Sequence, residues 1–371
     1  MLPAAKTHKR SLADVVPNCL DAIAGRAGRM GLPPVEKAVV FVVDGLGHGP
    51  LTTHAGHART LARRLPHDPA IGAGFPTTTV AALATLTTGE PAGRHGLVGY
   101  RVYDPSNDRV VNQLSGWEGL DPATWQRMPT LFERAAAEGV RSVAIAHPRY
   151  AESEFTHAVL RGARFAGAAD ADSRTAALRG ALEESGPALI YSYVPDLDVA
   201  GHAKGIASSE WVEALEALDA EIAGVIALLG ARHGLVLTAD HGMVDVPEHA
   251  HRIVAPALLD GVRHIAGEPR CLQLHLDPGV AVDAVAERWR ASEGKRAWIA
   301  TREEAIAAGW FGDVDAEVLP RIGEVLVAAR ADHAYYTDPD DRARGMIGQH
   351  GSLTAAETAV PLLRFGAFAA A

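Results

Sequence analysis

Five short motifs place metal-binding and nucleophilic side chains at the ends of apolar runs, spread from Asp44 to His350. They read VVFVVDG, which ends in Asp44-Gly45; FPTTTV, with Thr77, Thr78 and Thr79; DVAGH, with Asp198 and His202; LVLTADHG, with Asp240 and His241; and GQHG, with His350. Carboxylates and imidazoles bind divalent metals, and a hydroxyl held against a metal becomes a nucleophile. In this order and combination they point to two-metal phosphoryl transfer.

Taken singly, each motif also has a plain structural use. An Asp after a strand often caps a helix, and so do threonines before one. A helix starting at the threonines, however, would also aim free N–H groups at a phosphate. Asp198 and His202 are four residues apart, so on one helical turn they face the same way and share a metal. Asp196 is a competing carboxylate at a less favourable spacing. An Asp240-His241 pair after a strongly apolar run is costly to bury without a partner. His350 alone reads as a loop residue. His48, His249 and His251 lie near these motifs and are read as surface or supporting groups. On the residues alone, any of the three threonines is a candidate nucleophile.

The apolar runs explain how such residues would meet. KAVVFVV (37–43) is continuous and β-branched, as a strand buried on both faces of a parallel sheet should be. Runs of the same kind cover 142–146, 188–193, 234–239 and 360–365. Helical patterns lie between them, at 128–139 and 209–230 for example, and residues 1–35 read as a helical lead-in. Alternating strands and helices predict an α/β fold with a doubly wound, mostly parallel sheet. Ligands of such sheets sit beyond the C-terminal strand ends, where Asp44, Asp198 and Asp240 fall. The stretch 255–340 differs and reads as an inserted α+β cap, leaving 1–254 and 341–371 as the catalytic core.

The 371 residues are 48% hydrophobic and 22% charged, with a net charge of -10, an ordinary globular composition with length for a large core. No basic block stands out, so a nucleic-acid polymer is not the expected partner. A phosphate substrate stays compatible with the acidic balance, because bound cations dominate the local field. Cys19 and Cys271 form neither a close pair nor a metal-type spacing, which suggests thiols in a reducing compartment. No apolar run reaches membrane-spanning length, and no apolar segment follows the basic N-terminal residues. The expectation is a cytoplasmic protein acting on a small phosphorylated substrate away from membranes. Nothing in the sequence encodes an oligomeric state.

The order Asp, Thr, Asp-x-x-Gly-His, Asp-His-Gly, His-Gly resembles the alkaline-phosphatase superfamily, and more narrowly the nucleotide pyrophosphatase/phosphodiesterase family. The resemblance runs from about residue 38 to the C-terminus. It implies two divalent metal ions, with zinc suited to carboxylate-plus-imidazole ligation. Asp44, Thr79, Asp240 and His241 would hold one; Asp198, His202 and His350 would hold the other. Aligning Pro76 and Thr88-Gly89 with the family's Pro-Thr-x-Thr and Thr-Gly selects Thr79 as nucleophile. The implied reaction is attack of Thr79 on phosphorus, a covalent phospho-threonine, and its hydrolysis with net retention.

One departure matters. The family carries an Asn shortly after the His-Gly of HGLVGY (95–100), where this chain has Tyr100. A phenol offers one donor where an amide offers two. Tyr100 is expected to line the phosphate pocket, and the substrate class stays open between nucleotide, lipid headgroup and phosphonate. A phosphomonoesterase or phosphonate hydrolase on the same metals is the alternative. A cation at the phosphate pocket would favour it, and Arg270 and Arg344 are the candidates. No C-x-P-x-R run is present, which argues against a formylglycine sulfatase. A metal-stabilised binding protein without turnover is the non-enzymatic alternative.

Overall fold

KAVVFVV forms a strand whose seven residues are all buried, with parallel neighbours on both sides. The computed structural model describes residues 2–4 and 8–370; the lead-in expected over 1–35 includes residues 1 and 5–7, outside that set. In chain order the principal strands are β1 (Lys37–Val43), β2 (Arg101–Asp104), β3 (Arg109–Asn112), β4 (Arg141–Ala146), β5 (Arg164–Gly167), β6 (Ala188–Val194), β7 (His233–Thr238), β8 (Val262–Glu268), β9 (Cys271–Leu276), β10 (Ala297–Thr301), β11 (Val325–Ala329) and β12 (Leu362–Gly366). The helices needed below are α1 (Leu12–Ile23), α2 (Thr79–Thr88), α3 (Asp196–Lys204), α4 (Ser209–Leu228) and α5 (Val282–Glu293).

The main sheet runs β12-β7-β1-β6-β4-β5. All neighbours are parallel except β12, which pairs antiparallel with β7. The terminal apolar run therefore enters the sheet against the direction of the others, because apolar continuity encodes burial and not strand direction. Val43 stands opposite Val194, and Val42 opposite Thr238. That register brings Asp44, the start of α3 and Asp240 out of the sheet at one end.

Helix α4 shows how the flanking layer is held. Trp211, Leu215, Leu218, Ile222 and Val225 are its buried residues, spaced by fours and threes along one face. Each such side chain contributes roughly 1.5–3 kcal/mol by leaving water. The Ser208 side chain accepts from the Trp211 amide and caps the helix start. A charged residue at Leu215 would remove the centre of this face.

A second, antiparallel sheet runs β10-β11-β9-β8-β2-β3. Four of its strands lie within 255–340; the hairpin β2–β3 joins from outside that stretch. With α5 it has an apolar cluster of its own, including Leu274, Trp289, Ile299 and Val327. No helix among the described residues is long and apolar enough to cross a membrane. Cys19 and Cys271 are both buried and unpaired.

Candidate active site

The residues singled out by chemistry meet at the C-terminal end of the main sheet. Asp44 directly follows β1, and Asp240 and His241 follow β7. Asp198 and His202 project from α3, which begins immediately after β6 and the N-cap Pro195. Thr79 is the first residue of α2, with extended Thr78 as its cap. Gly45 makes the convergence possible. Its φ is +73°, and a Cβ there would lie 3.1 Å from the Asp198 backbone. Gly242 plays the same part beside His241, since a Cβ would lie 2.0 Å from the Ala356 carbonyl oxygen.

Two groups of donor atoms converge, each within 4.8 Å: Asp198, His202 and His350, and Asp44, Asp198 and His241. Asp198 belongs to both. His202 Nε2 lies 3.3 Å from Asp198 Oδ2, and His350 Nε2 lies 3.8 Å from Asp198 Oδ1. His241 Nε2 is 3.3 Å from Asp44 Oδ1, 3.6 Å from Asp240 Oδ2 and 3.3 Å from Thr79 Oγ1. Asp240 Oδ1 accepts the Gly45 and His241 amides at 3.1 and 2.9 Å, leaving Oδ2 turned to the histidine. Asp196, the competing carboxylate, is exposed.

The other ring nitrogens of the histidines are anchored on backbone carbonyls. His202 Nδ1 lies 2.7 Å from the Gly348 oxygen, His350 Nδ1 2.8 Å from that of Thr77, and His241 Nδ1 3.1 Å from that of Gly242. Donation through Nδ1 leaves each Nε2 lone pair facing the carboxylates, the tautomer a metal ligand requires.

The electrostatics are those of a site short of positive charge. Burial, and then the neighbouring Asp240, push the Asp44 carboxyl well above the usual carboxylate range. Asp198 is raised by burial and by Asp44, and burial lifts Asp240 to about 7. Burial lowers His202 to about 4, and burial with the neighbouring His241 and His202 takes His350 well below its ordinary value. Oxygens Asp44 Oδ1, Asp198 Oδ1 and Asp240 Oδ2 are buried without a hydrogen-bond partner. Three orphaned carboxylate oxygens facing imidazole nitrogens suit divalent cations, which supply the missing charge.

A cavity of about 620 Å³ opens in front of this cluster, and Asp44, Thr79, Tyr100, Asp198, His202 and His350 all line it. Asp240 and His241 are fully buried behind its wall. Tyr100 faces the cavity from the edge of the second sheet. The Asn112 amide donates to its hydroxyl at 2.7 Å, and its backbone N–H donates to Glu268 Oε2 at 3.0 Å. Arg270 and Arg344 do not line the cavity. Arg270 is buried, with Nε and Nη2 on Glu357 and Nη1 on the Ala331 and His333 carbonyls, so four of its five N–H donors and its charge are committed away from the cavity.

Four residues of the site carry no motif. Tyr193 donates its hydroxyl to Asp44. Its signal was available, since Tyr191 and Tyr193 alternate at the end of β6 and both line the cavity. Glu268 lines the cavity with Oε1 unpartnered, and burial pushes its carboxyl up to about 8. Asn112 and Arg149 reach the site through a hairpin and a short turn that no local pattern links to it.

A doubly wound sheet with carboxylates and imidazoles clustered at its C-terminal end is an alkaline-phosphatase-like architecture. Residues 38–353 match the family model for type I phosphodiesterase/nucleotide pyrophosphatase, and the chain belongs to that family. A phosphonoacetate hydrolase from Sinorhizobium meliloti superposes with a TM-score of 0.71 at 19% identity, covering 90% of this chain and 91% of that one. Murine ectonucleotide pyrophosphatase/phosphodiesterase 5 superposes with a TM-score of 0.68 at 17% identity, covering 88% and 87%. A pyrophosphatase/phosphodiesterase of Schizosaccharomyces pombe, itself uncharacterised, is 25% identical over 207 residues, 51% of this chain. The match spans 41% of that relative's length.

Proposed function

We propose that this chain is a metal-dependent hydrolase that cleaves phosphodiester or nucleotide-pyrophosphate bonds by phosphoryl transfer to Thr79. The observation that carries the reading is the place of the Thr79 hydroxyl. It stands at a helix N-terminus, on the cavity wall, 3.3 Å from His241 Nε2 and beside buried, unpartnered carboxylate oxygens.

In this reading Asp44, Thr79, Asp240 and His241 hold one divalent cation, and Asp198, His202 and His350 hold another, with zinc suited to both sets. Bound there, the cations supply the positive charge that polarises a phosphoryl group and acidifies an attacking hydroxyl. The chain's own residues do the positioning. The N-terminal turn of α2 presents Thr79 Oγ1 to phosphorus while its unpaired amides face the phosphoryl oxygens. Attack breaks the bond to the leaving oxygen and forms phospho-Thr79; water then cleaves the Thr79–phosphorus bond, with net retention. Tyr100 accepts from Asn112, so its own proton is free to donate to a phosphoryl oxygen. Leu83, Phe155, Val159 and Leu160 wall the cavity against water.

The test is kcat/KM of the zinc-loaded protein on bis(p-nitrophenyl) phosphate against p-nitrophenyl phosphate. A diester preference of tenfold or more supports the reading. A monoester preference would assign the pocket to a dianion. No turnover of either would leave a phosphonate as the substrate to try.

A further inference from the structure

The cavity beside Thr79 is lined by carboxylates, imidazoles, aromatic and aliphatic groups, and a single guanidinium, that of Arg149. Arg149 sits in the turn Pro148–Tyr150 just after β4, where the His147 ring accepts its amide hydrogen at 3.1 Å. Its Nη2 donates to the Tyr150 hydroxyl at 2.6 Å, and its guanidinium carbon lies 4.8 Å from the centre of the Tyr150 ring. Tyr150 in turn packs edge-on against Tyr193, whose hydroxyl reaches Asp44. A chain of contacts therefore ties this cation to the reacting end of the cavity.

What Arg149 lacks is an anion. Among the described residues no carboxylate lies within ion-pair distance of it, and most of its five donors are uncommitted. Holding an exposed arginine in one place costs side-chain entropy, which an ion pair would ordinarily offset. A stacked, planar guanidinium is suited to bidentate contact with phosphate or carboxylate. A second cavity of about 420 Å³ begins at the same residue and shares Tyr193, Pro195 and Val199 with the first. Its charges are mixed: Arg174 is occupied by Glu221, and Lys204 lies 3.9 Å from Glu210. Arg149 stands where the two cavities meet.

We propose that Arg149 is a specificity-determining contact that binds a second anionic group, phosphate or carboxylate, carried by the substrate beyond the scissile phosphorus. The inference rests on the phosphoryl-transfer reading of the same cavity. It narrows the substrates to pyrophosphates, such as nucleoside di- and triphosphates, and to phosphonocarboxylates, over simple diesters with two neutral substituents.

The test is a calorimetric titration of three related ligands into the zinc-loaded protein: methylphosphonate, methylenebisphosphonate and phosphonoacetate. Only the last two carry a second anion. Wild type should bind at least one of them more tightly than methylphosphonate. In Arg149→Met that preference should fall about tenfold, the size of one charge-assisted contact, and Arg149→Lys should recover part of it. A fall confined to methylenebisphosphonate makes the second group a phosphate; one confined to phosphonoacetate makes it a carboxylate. No preference in wild type, or the same preference in all three proteins, overturns the proposal. Because binding is read and not turnover, the two readings separate. Preference without turnover of any phosphodiester, pyrophosphate or phosphonate would defeat the hydrolase reading and keep the subsite; turnover with an unmoved preference would do the reverse.

Discussion

Tyr193 donates its phenolic hydrogen to Oδ2 of Asp44, while Oδ1 of the same carboxylate is buried without a partner. Burial and the charge of Asp44 hold the phenol well above its ordinary pKa, so it stays a donor at any working pH. The bond fixes which oxygen of Asp44 is left for a cation. Tyr193→Phe should weaken metal affinity about 10- to 100-fold, as loss of a group that orients a ligand does, with the fold retained. Chelator competition measures this, and unchanged affinity would remove Tyr193 from the site.

Thr79 Oγ1 lies 3.3 Å from Nε2 of a candidate ligand, His241, whereas Thr77 Oγ1 is turned away onto the Ser352 carbonyl at 2.7 Å. Thr79→Ala should cut turnover by orders of magnitude while metal content stays near that of wild type. Near-normal turnover would pass the nucleophile to Thr78 or to water.

The Asn112 amide fills the acceptor side of the Tyr100 hydroxyl, which in the proposed reaction leaves the phenol proton for the substrate. Tyr100→Phe should lower kcat about 100-fold or more, the usual effect of deleting one donor to a transition-state oxygen. Asn112→Ala should lower it less. Unchanged kinetics in Tyr100→Phe would exclude the phenol from the mechanism.

Glu268 gives the stability a pH signature. Its folded value of about 8 stands above the ordinary 4.5, so between these values the folded chain keeps a proton that the unfolded chain has released. Its contribution is therefore complete below pH 4.5 and is lost as pH rises towards 8, by roughly 1 kcal/mol per pH unit. In chelator-treated protein, the melting temperature of Glu268→Gln relative to wild type should rise between pH 5 and pH 8. A constant difference would mean that Glu268 is ionised throughout.

Arg270 and Glu357 form a fully buried pair, and Glu357 also accepts the Ser352 amide, which ties the loop after His350 to the second sheet. Arg270→Met leaves the Glu357 charge uncompensated and should destabilise the fold by about 3–5 kcal/mol in denaturant titration. A loss below about 1 kcal/mol would show that water enters the site.

What the sequence made legible was whatever repeats locally. The apolar run KAVVFVV matches β1 residue for residue, and the four-residue spacing of Asp198 and His202 places them on α3. The ends of such runs led to the cluster because parallel register forces neighbouring strands to finish together. Less legible was whatever depends on contacts across the chain. The hairpin β2–β3 joins a sheet built mainly from 262–329, and β12 runs antiparallel, neither of which a run of side chains encodes. Arg270 reads from sequence as a candidate phosphate contact, but Glu357, 87 residues away, occupies it. Tyr193 and Glu268 entered the site from inside strands whose patterns announce only burial.

The most direct measurement is turnover of bis(p-nitrophenyl) phosphate by the purified protein before chelation, after chelation, and after zinc is restored, with circular dichroism recorded at each stage. The account predicts that activity vanishes with the metal and returns with it while the spectrum is nearly constant. Turnover that survives complete chelation, or a chain that unfolds when the metal is removed, would contradict a catalytic two-metal site built on Asp44, Asp198 and Asp240.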